Sequence, residues 1–234
     1  MKIYLSSVAW LMLFSSGIAC AATPTTIRAS YEISKAGITI GKIDETYQRV
    51  ADRYTLTSTT RAVGIFALFK RGKIIITSKG IINDQGLMPL NASAIQDDDA
   101  KAGRSGELDW NAGKLTLIQT DKRDILDLPP KTQDRLSAMY QFMFLTLKEP
   151  NLEFPMINGN YLLNFNFLVT PGPALMTPAG KFTTLYLDNK HQSLRERTEI
   201  WLATGSYNLP CKMIVTDPGG GKITQILTKL EIVP

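Results

Sequence analysis

Apolar and polar residues alternate with period two along most of this chain, and that pattern restricts it to a fold built from half-buried strands. Arg28 to Ser34 and Ile38 to Ile43 flank a break at Ala36-Gly37. Tyr47 to Val50 and Tyr54 to Thr60 are joined through Ala51-Asp52-Arg53, a short hairpin connection. Lys73 to Ile82 ends at Asn83-Asp84-Gln85-Gly86, and Leu87 to Gln96 follows, with Pro89 pointing to an edge or a strand start. Gly106 to Trp110 and Lys114 to Thr120 read as a hairpin over Asn111-Ala112-Gly113. Asn160 to Thr170, Lys181 to Leu187, Arg195 to Leu202, Cys211 to Thr216 and Lys222 to Val233 complete the set. These runs are rich in β-branched and aromatic residues, which suit a pleated surface.

Two stretches depart from the alternation. Gly64 to Lys70 is a dense apolar cluster, either one helical turn or a buried strand start. Thr132 to Lys148 has a helical period, with Leu136, Met139, Tyr140, Met143, Phe144 and Leu147 on one wide face. Thr132 or Asp134 is positioned to cap it, and Glu149-Pro150 to end it. About ten antiparallel strands and one main helix imply a mainly β domain: a single curved sheet, an open half-barrel or β-spiral, packed on that helix.

The first 21 residues read as an address. Met1-Lys2, an apolar run to Phe14 and the small residues Ala19-Cys20-Ala21 have the layout of a secretory signal peptide. Cleavage after Ala21 leaves residues 22–234 as one periplasmic domain. Gly17-Ile18-Ala19-Cys20 also offers lipoprotein processing at Cys20, the alternative reading. Nothing later is apolar for long enough to span a bilayer as a helix, so the mature chain is expected to be peripheral to a membrane at most. The net charge of +5 comes from interspersed residues, which argues against a nucleic-acid partner. If Cys20 leaves with the leader, Cys211 has no intramolecular disulfide partner and reads as a buried thiol in a strand.

No catalytic signature is present. His191 is the single histidine and lies in a polar turn, and no nucleophile elbow accompanies it. Asp97-Asp98-Asp99 lacks the spacing of a calcium loop. Glu196 and Glu199, interleaved with Arg195 and Arg197, read as a salt-bridged strand face. No metal or cofactor is expected.

Several short motifs, in order, resemble the bacterial envelope family known as domain of unknown function 3108. They are Tyr31-Glu32-Ile33 with Gly37 to Gly41, Gly86-Leu87-Met88-Pro89, Gln133 to Tyr140, Thr177-Pro178-Ala179-Gly180, and Glu199 to Leu202 running on to Leu209-Pro210. The resemblance implies no known activity. Its pattern is also similar to periplasmic half-barrel proteins such as the lipoprotein carriers, in which a curved sheet shelters an acyl chain. From the apolar inventory, Phe66, Leu68, Phe69, Met139, Tyr140, Met143, Phe144, Phe165 and Phe167 are the candidates to line an apolar groove, the alternative being that they pack as core, and Asp134 is read as a structural helix cap. The expected function is non-enzymatic: binding of a lipid or acyl chain. The alternatives are a module that docks envelope proteins and, more remotely, an envelope hydrolase using Asp134 or His191.

Overall fold

The alternating runs build two antiparallel meanders joined through the middle of one sheet. The computed structural model describes residues 23–69, 72–97, 99–120, 122–189 and 196–234. The leader with Cys20, and also Asp98, His191 and Arg195, lie outside the described residues.

The first meander comprises β1 (Thr26–Lys35), β2 (Ile38–Val50), β3 (Arg53–Ala62), a helical turn α1 (Phe66–Phe69), β4 (Ile74–Asn83), β5 (Gly86–Gln96), β6 (Asp99–Asp109), β7 (Lys114–Gln119) and β8 (Lys122–Asp127). A two-residue strand β9 (Gln133–Asp134) then leads into helix α2 (Arg135–Gln141) and a 3-10 turn at Phe142–Phe144. The second meander contains β10 (Asn151–Asn158), β11 (Tyr161–Pro171), a small separate hairpin of β12 (Leu175–Thr177) and β13 (Gly180–Phe182), β14 (Thr184–Asp188), β15 (Arg197–Ala203), β16 (Leu209–Thr216) and β17 (Lys222–Val233).

Fifteen of these strands form one sheet, in the order β8-β7-β6-β5-β4-β3-β2-β1-β17-β16-β15-β14-β11-β10-β9. The first and last long strands are therefore neighbours, paired from Thr26 opposite Val233 to Lys35 opposite Ile223. The sheet is not a closed barrel, because β8 and β9 remain its two ends. Those ends approach through side chains. Leu108, Leu115 and Leu117 of β6 and β7 pack with Ile157 and Leu162 of the β10–β11 hairpin. Ile157 faces away from its neighbours Phe154 and Met156, which belong to the main core, so the hairpin is buried on both faces.

Helix α2 lies between the two halves. Leu136 and Tyr140, four residues apart, pack on the first meander against Ile27, Tyr47, Tyr54 and Leu56. Ala138 and Phe142 pack on the second, against Phe154, Phe167, Leu187 and Ile200. Two apolar stripes on one short helix require sheet on both sides, which is the basis of the curvature. The helix is shorter than the expected 132–148. Leu145 N–H and Asn208 Nδ2 both donate to the Phe142 carbonyl (3.4 and 3.2 Å), the acceptor a continuing helix would offer residue 146. Asn208 itself is held at φ 52°.

Gly80 makes one close approach possible. It sits at a register shift between β4 and β5. A Cβ there would run into the Met88 carbonyl and come within 2.8 Å of both Pro89 Cα and the Tyr54 ring. Gly80→Ala is therefore expected to lower stability by roughly 2–4 kcal/mol, measured as a lower urea midpoint at unchanged m-value. A midpoint equal to wild type would show that the bulge relaxes freely.

Candidate functional site

The N-terminus of α2 is fixed by a buried polar knot. Asp134 caps the helix: Oδ1 accepts from Leu136 N (2.9 Å) and Ser137 N (3.0 Å), while Ser137 Oγ accepts from Asp134 N (3.0 Å). Oδ2 accepts from Ser78 Oγ at 2.5 Å, and Ser78 meets Tyr54 OH at 3.2 Å. Burial raises the Asp134 pKa, against the pull of these donors. Two glutamines tie the same helix to the β4–β5 turn. Gln133 Nε2 donates to Leu87 O (2.9 Å), and Gln141 Oε1 accepts from Leu87 N (2.7 Å). Capping and docking account for every one of these bonds, so Asp134 stands as the structural cap.

A second carboxylate lies half-buried on the inner face of the sheet and has no ion pair among the described residues. Glu45 occupies the inward register between Ile43 and Tyr47, accepting from Tyr140 OH (3.1 Å) and Ser58 Oγ (3.2 Å). Desolvation raises its pKa from 4.5 to about 7, with the two hydrogen bonds pulling the other way. Sequence reading passed over it; the signal was a lone glutamate on the apolar face of a strand. Cys211 is fully buried against Ala29 and Leu227, and burial raises its thiol pKa to about 11, which leaves it unreactive. Arg197 pairs with Asp188 (2.8 Å) and Glu199 (3.1 Å) on the partly exposed face of β15, a salt-bridged strand surface.

The feature suited to holding a ligand is a cavity of about 460 Å3 beside α2. Its apolar wall is formed by Met139 of the helix, Phe154 and Met156 of β10, Leu163, Phe165 and Phe167 of β11, and Met213 of β16. Arg135, Asn158, Glu196 and Thr198 supply polar groups. A volume in the usual range for small-molecule sites, mostly apolar with a few polar groups, suits an amphipathic molecule. Three methionines in the lining give it an adaptable surface.

The nine residues expected to share one groove are divided by the structure. Met139, Phe165 and Phe167 meet in this cavity. Phe144 lines a smaller one, about 320 Å3, on the β4–β5 side of the helix, and Phe154 contributes to both. Tyr140 is 1% exposed in the core, and Met143 packs beside it. Phe66 and Leu68 are exposed on α1 in the β3–β4 connection and do not line the cavity, and Phe69 ends that turn. The apolar face at Phe154 and Met156 was missed because Pro155 disguises β10. The proline is tolerated because β9 borders the far side of that strand only at Met156 and Ile157. Among the described residues no cluster of His, Cys, Asp and Glu is arranged to hold a metal.

Glu45 gives a pH dependence of defined sign. Its folded pKa lies above the unfolded one, so its contribution is fully present below about pH 4.5 and is lost as pH rises through 7. The loss is on the order of 3 kcal/mol at most. Wild-type stability should fall between pH 5 and 8, and Glu45→Gln should flatten the fall and be the more stable protein at pH 8. Parallel curves for the two proteins would overturn the assignment.

A family model described as a protein of unknown function, DUF3108, matches residues 29–228. No curated protein matches the chain. A β-barrel-like protein of domain of unknown function DUF1849 from Brucella abortus is similar in structure, with 13% identity, a TM-score of 0.64, and coverage of 92% of this chain and 100% of that one. It shares the fold. Two further solved structures, described as a lipoprotein from Parabacteroides distasonis and an exported protein with a YmcC-like fold from Bacteroides fragilis, each show 9% identity and a TM-score of 0.37 over 89% of this chain and 96% of theirs. Four of the motifs behind the family resemblance meet in pairs: Gln133 Nε2 donates to Leu87 O, and Tyr31 OH donates to Pro210 O at 3.1 Å. With its motifs placed and its length matched almost end to end, the chain belongs to the DUF3108 family of proteins of unknown function.

Proposed function

We propose that this protein is a non-enzymatic envelope protein of the periplasm that shelters an acyl chain or similar amphipathic molecule beneath α2, in the trough of a β-spiral. The observation that carries this reading is the cavity of about 460 Å3 with its methionine and phenylalanine walls. The chain would lie against Phe165, Phe167 and Met156, with its polar end near Arg135 and Glu196. The secretory layout of residues 1–21 supports the compartment.

A second reading, a module that docks envelope proteins by strand addition, rests on β8. That strand has one neighbour in the sheet and leaves Ile125 62% and Leu126 36% exposed.

Native mass spectrometry of the mature protein purified from periplasm, followed by organic extraction, tests the first reading. The expected result is a stoichiometric adduct of acyl-lipid mass. It should disappear in Leu163→Glu and Met213→Glu, two half-buried positions on the cavity wall, while the thermal transition remains cooperative. A bare mass for wild type, together with no uptake of a fluorescent fatty acid, would sink the acyl reading and favour strand docking.

A further inference from the structure

One end of the sheet is apolar, exposed and rimmed by lysines. Strand register places four connections there side by side. Lys35 of β1 pairs with Ile38 of β2 and with Ile223 of β17. Val63 N donates to Ile40 O, which brings the β3–β4 connection alongside the β1–β2 turn. Thr60 pairs with Ile74, and Ile75 with Ile95, which adds the end of β5. At this end Ile38 is 60% exposed, Ile65 66%, Phe66 38%, Leu68 72%, Ile95 45% and Ile223 43%. Isolated exposed apolar side chains are ordinary, but six gathered on one end of a sheet mark an interaction surface.

Three lysines flank this patch. Lys35, Lys73 and Lys222 are exposed and make no ion pair among the described residues. At the same turns, one oxygen of Asp97 accepts from Lys73 N at 2.5 Å and one of Asp217 from Gly221 N at 2.9 Å. From Arg61 to Lys73 the sequence contains four basic residues and no acidic one. Apolar side chains exposed at strand ends and on α1, flanked by lysines, fit a bilayer interface with anionic headgroups, where the side chains enter the acyl boundary and the lysines meet phosphates.

We propose that this end of the sheet docks on an anionic membrane surface, with α1 as its deepest element. Part of the lining of the cavity beside α2 lies toward the same end: Thr198 of β15 and Glu196 just before that strand lie near the β16–β17 turn, since Arg197 pairs with Thr216 and Thr216 with Lys222. Docking would thus bring this side of the cavity toward the lipid surface. The docking itself does not depend on an acyl cargo.

Co-sedimentation of the mature protein with vesicles of phosphatidylcholine plus phosphatidylglycerol tests the proposal. Wild type is expected to pellet, and to bind less as salt is raised. Ile65→Asp and Leu68→Asp should each weaken binding about tenfold or more, the loss of one buried aliphatic side chain. Lys73→Glu should weaken it by a smaller factor. Both apolar positions are exposed, so the variants should melt as wild type does, and any lipid adduct seen by mass spectrometry should persist in Leu68→Asp. Wild type that stays in the supernatant, or Leu68→Asp that pellets equally well, overturns the proposal.

Discussion

A seven-residue helix has no stability of its own in water, because the cost of its first turn is not recovered in so short a segment. Helix α2 persists because the sheet completes it. Asp134, Ser137 and Ser78 satisfy its first turn, Asn208 its last, and both flanks are buried in apolar clusters. The dependence is mutual. The two meanders share a backbone ladder only where β1 meets β17, and elsewhere they are held together by side chains, directly at the β6–β7 and β10–β11 contact and through α2 between them. Withdrawing α2 would expose Tyr47, Tyr54, Phe154 and Phe167 together. Helix docking is therefore the central constraint on the fold.

Strand chemistry was legible in the sequence because burial on one face writes itself as alternation. In β1, Ile27, Ala29 and Tyr31 are buried in succession, and in β11 Phe165, Phe167 and Val169 do the same. The family motifs were legible too, and two of them, Gly86 to Pro89 and Gln133 to Tyr140, meet where the helix is seated. The expected mainly β architecture with one large curved sheet is the observed one, with fewer helical residues than the periodicity suggested. Helix length was misjudged because the Phe142 carbonyl is taken by Asn208, a residue 66 positions away. Strand β10 was hidden by Pro155, whose effect depends on what borders the strand. Neither fact is local, so neither can be read from a window of neighbours.

The candidate site was legible in kind and not in membership. Apolar residues at helical and strand spacing announce burial, but burial in a core and burial around a cavity use the same residue types. Tyr140 and Phe165 look alike in sequence. One fills space against Tyr47 at a ring distance of 5.9 Å, and the other leaves space beside Met139. The exposed Phe66 and Leu68 show the opposite ambiguity, since an apolar run in a connection reads as core until the fold leaves it outside.

The pairing of β1 with β17 also dictates an order of events. The ladder that joins the two meanders uses residues separated by about two hundred positions, so it cannot form until the last strand exists. The first eight strands are joined mostly by short connections and can assemble early, but their β1 edge stays open until the final dozen residues arrive. Closing so long a loop is entropically costly and makes for slow folding. A chain truncated within β17 would keep most of its local hairpins and lose the ladder that unites them. In this molecule β17 is the strand whose pairing unites the two meanders.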